Sequence, residues 1–376
     1  MYTIEEIQNF KGKYPKQLWY LFTVEMWERF CFYGMRGVLT FFMVDQLLLK
    51  DDAANLQYGA IQAFVYAFTF IGGIFADKVL GFKKSLFFGG IVMILGNLLI
   101  AFSPQDMFYY GIAFSIIGTG FFKPNISSMV GELYDEKDPR RDAGFGMFYA
   151  GINIGGFLGG ILCIYLGKFY SWQLCFLAAA IVMIFGLLTF LFTKKHLGPI
   201  GDSPLLEMPE SKRRVREIAV YVGSLISIPF IYTMVINTDY TDYFMYTIGI
   251  IALLYFIYEL VKLGNVSLQK KLIAAFAFIF FYLLFNAIYE QSGGSLSLFA
   301  KDNLTNNLLG FTIDPNAVNN SSNTLFVIIL SPLIGLLWLW LAKMKLEPNT
   351  LIKFGIGFLF LSASFYIFYY TKFFAN

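Results

Sequence analysis

The chain has 376 residues, 57% of them hydrophobic and 19% aromatic, with only 14% charged and a formal net charge of +3. This apolar excess excludes an ordinary soluble globule, and so small a net charge excludes the basic footprint of a nucleic-acid binder. Three cysteines, Cys31, Cys163 and Cys175, all lie in apolar runs, and His196 is the lone histidine. We therefore expect no disulfide framework, metal site, cofactor or His-centred catalysis, and no enzyme activity.

The amino terminus is mixed in charge and reads as a cytoplasmic lead-in, with no cleavable signal peptide. Apolar runs long enough to span a bilayer then recur at 18–49, 54–79, 85–102, 107–134, 143–168, 172–193, 217–236, 243–263, 272–300, 315–343 and 351–371. The pattern predicts an all-α polytopic membrane protein. Of the 28 Lys and Arg, only Lys50, Lys168, Lys301 and Lys372 fall on outer segments if the amino terminus is inside. Arg29, Arg36 and Lys123 lie within spans, and all the others are on inner segments. That bias sets the orientation, because one missed helix would invert every later loop.

The first run carries Glu25, Glu28, Arg29 and Arg36. At helical spacing Glu25, Arg29, Phe32 and Arg36 share one stripe, with Glu28 and Tyr33 on its flanks. A charge at the bilayer centre costs at least about 2.5–3.5 kcal/mol, so four on one helix must face a wet or protein-lined interior and pair there. Helix rise puts Glu28, Arg29 and Lys123 about 15–17 Å from the inner side, and Arg36 and Glu290 near about 27 Å. Unlike charges thus fall at two shared depths, which predicts ladder-like pairing that a proton or an anionic substrate could break. Inert buried salt bridges between helices are the plain alternative.

In the fourth run Pro124 follows Lys123 and frees a backbone carbonyl. Gly151, Gly155 and Gly159, with Gly156 and Gly160 beside them, allow close and sliding helix contact in the fifth, or simple packing. The inner segment 194–216 is rich in Pro, Gly and basic residues and reads as a cytoplasmic linker. Its basic cluster is ordinary inner-loop charge or a contact to anionic lipid. We divide the chain into a six-helix bundle (1–193), this linker, a transmembrane hairpin (217–263) and a partial three-helix bundle (264–376). The outer segment 301–322 is polar and reads as a loop.

At these residues the chain resembles the proton-dependent oligopeptide transporter family of the major facilitator superfamily. Glu25-Met26-Trp27-Glu28-Arg29-Phe30-Cys31-Phe32-Tyr33-Gly34 is similar to the family's E-x-x-E-R-F-x-Y-Y-G, with Phe32 where Tyr is usual. Further matching blocks are Gly120-Phe121-Phe122-Lys123-Pro124-Asn125, Asp142 to Gly155, Tyr289-Glu290-Gln291 with Ser295 and Leu298-Phe299-Ala300, and Asn323-Thr324-Leu325-Phe326. Gly72-Gly73, Asp77-Lys78, Gly81 and Lys83-Lys84 resemble the superfamily's inner-loop signature.

The resemblance implies a major facilitator fold and symport of di- and tripeptides with protons by alternating access. It places a monomer in a bacterial cytoplasmic membrane, with the proton as coupling ion and membrane lipid as a partner. Glu25, Glu28, Arg29 and Glu290 would couple protons. Tyr33, Arg36, Lys123, Asn153, Asn323 and Glu290 would bind substrate, with Arg36 and Glu290 pairing as a gate. The family pattern has three further core helices after position 376, so this polypeptide alone is expected to be inactive. The alternatives are a same-fold carrier of another small anion such as nitrate, and a non-transporting receptor or scaffold.

Overall fold

The structure, a computed structural model, describes residues 2–308 and 310–371. After a single turn α1 (Ile4–Gln8), the chain runs through α2 (Lys16–Asp45), α3 (Asp51–Phe75), α4 (Phe82–Phe102), α5 (Phe108–Glu132), α6 (Arg141–Phe169) and α7 (Trp172–Thr193). Then follow α8 (Glu210–Ile226), α9 (Ile228–Ile236), α10 (Thr238–Lys262), α11 (Val266–Tyr289), α12 (Ser295–Asn303), α13 (Pro315–Lys343) and α14 (Thr350–Thr371). Among the described residues, nine helices are long and apolar enough to cross a membrane. Helices α2 and α5 fall outside those nine; at 30 and 25 residues they are long enough, and they carry the intramembrane charges.

Residues Met1–Glu259 with Gln291–Leu325 form one compact unit, and Leu260–Glu290 with Phe326–Asn376 form a second. In the first, α2 lies against both α6 and α7, and α4 lies against α5 and α7. Glycine makes these approaches possible. A Cβ on Gly155 would strike the Met26 carbonyl, and one on Gly159 the Phe30 carbonyl, so these two seat α6 directly on the backbone of α2. Gly89 with Gly118, and Gly96 with Gly111, do the same for α4 and α5.

The neighbouring glycines on α6 meet a different partner. Gly156 faces Tyr33 and Thr324, and Gly160 faces Ser321. One side of α6 is thus fixed to the α2 backbone, while the other touches side chains only, Tyr33 of α2 and the small Ser321 and Thr324 of α13.

The hairpin also docks by aromatic contact. Its first arm breaks between α8 and α9 at Ser227, with Pro229 two residues on. Tyr221 reaches Phe88 at 4.7 Å between ring centres, and Tyr232 stacks on Tyr110 at 4.6 Å. Phe244 of the second arm stacks on Phe64 at 5.8 Å.

Two expected irregular segments are built. The segment 301–322, expected as an outer loop, holds the end of α12, a two-residue antiparallel ribbon of β1 (Asn307–Leu308) and β2 (Phe311–Thr312), and the start of α13. Asp314 begins α13 by accepting the Asn316 N–H at 2.8 Å. The first part of the inner linker folds back on the bundle. Lys83 Nζ donates to the Gly198 carbonyl at 2.5 Å and to Asp202 at 2.8 Å, and Ser203 donates to the Val79 carbonyl at 2.6 Å. Gly81, at φ +75, gives the backbone conformation this approach needs.

In the second unit, α11 and α14 meet through Phe278–Phe354 at 5.3 Å and Phe285–Phe358 at 5.6 Å. An apolar cleft of about 670 Å³ lies between them.

Candidate functional site

Helix α2 is apolar apart from one charged stripe, which can be tolerated only where other helices cover it. The fold does that. Glu25, Glu28 and Arg29 are 2%, 0% and 2% exposed, enclosed by the α6 and α7 packing. Arg29 Nε lies 3.1 Å from Glu25 Oε1, one helical turn back, and it also bonds Glu28. The guanidinium sits 5.0 Å from the centre of the Phe32 ring. Phe32, the departure from the family pattern, therefore offers Arg29 its π-face instead of a hydroxyl.

The cluster is not saturated. Glu25 Oε2, Glu28 Oε1 and Arg29 Nη2 are buried without a hydrogen-bond partner. Buried oxygens of that kind are poised to accept a proton or a donor brought by something else. Lys123, on α5, is near enough to act electrostatically on both carboxylates. Its ammonium lies 5.2 Å from the centre of the Tyr66 ring on α3. The structure thus brings together Glu25, Glu28, Arg29 and Lys123, the lower of the two expected levels.

Two turns along α2, Arg36 is buried and donates from Nε to the Tyr58 hydroxyl of α3 at 2.9 Å. Its guanidinium is 5.8 Å from the centre of the half-buried Tyr33 ring. Tyr33 in turn lies against Gly156 together with Thr324. Asn153, almost one turn before Gly156, is buried and donates to the Tyr149 carbonyl at 2.8 Å. Asn323 precedes Thr324 on α13 and is exposed. Glu290 stands half-buried at the end of α11, in the second unit.

Sequence reasoning missed several partners. Tyr58 and Tyr66 supply a hydroxyl to Arg36 and a ring to Lys123. Their spacing of eight along α3 puts them on one face, a signal available in the sequence but weak for tyrosine in an apolar run. Also missed were the outer ties. Lys168 meets Asp314 at 2.8 Å, Lys301 meets Asp45 at 2.6 Å, and Thr40 donates to the Gly293 carbonyl at 2.5 Å. Asn320 reaches the Gly37 carbonyl at 3.4 Å. Together they hold the segment 291–325 against the C-terminal ends of α2 and α6. Among the described residues, no group of three or more His, Cys, Asp or Glu could hold a metal ion.

Charged residues sequestered within a bundle of long apolar helices define a multi-pass membrane transporter. The profile of the POT family matches residues 83–375. The chain is 35% identical over 369 residues to an uncharacterized transporter, YclF, of Bacillus subtilis (strain 168), covering 94% of this chain and 73% of that one. It is 30% identical over 355 residues to dipeptide and tripeptide permease A of Proteus mirabilis (strain HI4320), covering 94% and 71%. The crystal structure of a peptide transporter POT in complex with sulfate superposes with a TM-score of 0.80 at 30% identity, covering 98% of this chain and 78% of that one. The chain belongs to the POT family and has its major facilitator fold.

Proposed function

We propose that the protein is a proton-coupled symporter of di- and tripeptides, working by alternating access in a bacterial cytoplasmic membrane with its amino terminus inside. The observation that carries this reading is the covered cluster of Glu25, Glu28, Arg29 and Lys123, in which one oxygen of each carboxylate lacks a partner. The similarity to a dipeptide and tripeptide permease supplies the substrate class.

The chemistry follows from charge balance. Two carboxylates face Arg29 and Lys123, so the cluster is near neutral while both acids are ionised. A peptide carboxylate attracted to Lys123 or Arg36 leaves less positive charge for Glu25 and Glu28. Taking up a proton then restores neutrality at less cost than burying an uncompensated charge. Proton and peptide therefore bind more favourably together than apart, which is the thermodynamic content of symport.

Arg36, aimed by Tyr58, and Lys123, seated on Tyr66, are assigned to the peptide carboxylate. Tyr33, Asn153 and Asn323 are assigned to the rest of the backbone, and Glu290 to proton-sensitive gating. Recognition of termini by fixed charges leaves side chains unspecified, which suits a carrier of many peptides. We read the functional state as a monomer and a transporter, not an enzyme. This chain spans 73% and 71% of the relatives' length, so uptake of a labelled dipeptide into proteoliposomes by a protein of their full length that carries this segment, with and without an inward proton gradient, tests this reading. Accumulation that persists after the gradient is collapsed would end it.

A further inference from the structure

A second charged cavity lies at the inner end of the first unit, away from the cluster on α2. It measures about 660 Å³. Its rim holds Lys83 and Lys84 from the first turn of α4, and Lys194 and Lys195 just past α7. Two of the four are neutralised: Lys83 by Asp202 at 2.8 Å, and Lys84 by Glu217 at 2.6 Å. Glu217 is itself shared with Arg213 at 3.6 Å. Lys194 and Lys195 have no acidic partner within ion-pair distance among the described residues. Lys194 rests over the Phe87 ring at 6.0 Å. The rim is therefore left with surplus positive charge.

Behind the rim the wall is apolar: Phe87, Phe88, Ile91, Phe190 and Tyr221. Ile91 is seven residues beyond Lys84 on the same helix, so the wall extends about 10 Å from the lysines along α4. Ile91 itself is 38% exposed, and Leu95 one turn further is 45% exposed. The cavity thus opens along the apolar outer surface of α4. A small anion would need only the rim. An amphiphile with an anionic head and an acyl tail uses both parts.

We propose that this cavity is a binding site for an anionic phospholipid, with its phosphate among Lys84, Lys194 and Lys195 and one acyl chain along Phe87 and Ile91. The proposal rests on the reading of these helices as membrane spans, not on the identity of the transported substrate. Basic pockets between transmembrane helices on the cytoplasmic side take lipid headgroups through this combination of charge and depth. Lysine stems can lie along the apolar wall while their ammonium groups reach the phosphate.

The test is native mass spectrometry of the full chain, released from vesicles of equimolar phosphatidylglycerol and phosphatidylethanolamine. The native protein should retain phosphatidylglycerol in preference. The double variant K194Q/K195Q should lose that preference by roughly tenfold, while K212Q/R214Q on α8 should keep it. Ile91→Trp, which fills the tail groove without touching charge, should also lower phosphatidylglycerol retention. Retention unchanged in both K194Q/K195Q and Ile91→Trp would overturn the proposal. So would equal retention of the two lipids by the native chain. Binding of inorganic phosphate that depends on Lys194 and Lys195, with lipid retention indifferent to them, would show a free-anion site instead and overturn it as well.

Discussion

Glu28 is fully enclosed, yet one of its oxygens has nothing to bond. If that oxygen is the proton acceptor, Glu28→Gln should fix the cluster in a state resembling the protonated one. Gradient-driven dipeptide uptake should fall at least about tenfold, while exchange of internal for external dipeptide, which needs no net proton movement, should continue. Loss of both to the same extent would assign Glu28 to structure alone. Arg36 offers a second test. Removing the Tyr58 hydroxyl takes a hydrogen bond from a buried charged donor, an effect of about 1.5–3 kcal/mol. Tyr58→Phe should therefore raise the KM for dipeptide roughly tenfold or more with a smaller change in kcat. The α2 charges were legible because ionised groups in an apolar run demand an explanation. Tyr58 and Tyr66 were not, since a tyrosine crosses a membrane span cheaply and its partner is set by tertiary packing.

At the level of elements, α6 shows how much a sequence pattern leaves open. Its repeated glycines announced close helix contact but not which partner each would meet. The structure separates them into a backbone-to-backbone seam with α2 and a face that meets only side chains, Tyr33 of α2 with Ser321 and Thr324 of α13. Substitutions on the two faces should differ accordingly. Gly155→Ala drives a methyl into the Met26 carbonyl, which cannot yield, and should lower stability by about 1–3 kcal/mol in a detergent melt. At Gly156 the added atom would meet Tyr33 and Thr324 side chains at 3.0 and 3.1 Å, which can rotate away. Gly156→Ala should therefore melt close to the native protein, yet alter uptake.

The amino-terminal segment shows the same limit of sequence reading. It is held by Arg140, which donates to the Phe10 and Gly12 carbonyls at 3.1 and 3.0 Å and is itself gripped by Asp138. Hydrogen bonds from Arg140 hold the Asp138 carboxyl below its ordinary value. That contribution is present above the unfolded-state pKa of Asp138 and is lost as pH falls through its lowered folded value. Protection factors of the amides in residues 2–12 should fall as pH drops below the ordinary Asp value of about 3.9, and an Asp138→Asn variant should show lowered protection already at neutral pH.

For the whole molecule, hydropathy was enough to read the run of spans, because bilayer thickness fixes helix length and desolvation keeps most charges out of them. The outer ties were illegible, since Lys168–Asp314 and Lys301–Asp45 join residues 146 and 256 positions apart. Both ties fix the segment 291–325 to α2 and α6 within the first unit. Removing both with K168Q/K301Q should loosen that segment from the two helices. A cysteine placed at Asn320, beside Gly37, should then react several-fold faster with an impermeant maleimide. The native cysteines, all free and buried, should not interfere.

The segment after α7 bears on how tightly the hairpin is tied to the six-helix bundle it follows. A free strand from Lys194 to Glu210 would act as a slack rope about 50 Å long when extended. Anchored at Gly198, Asp202 and Ser203, it has its first half spliced to the bundle it leaves. Only the stretch from about Leu205 onward is left to pay out. Limited proteolysis of the folded protein should accordingly nick near Leu205 and Leu206 before it cuts between His196 and Ser203.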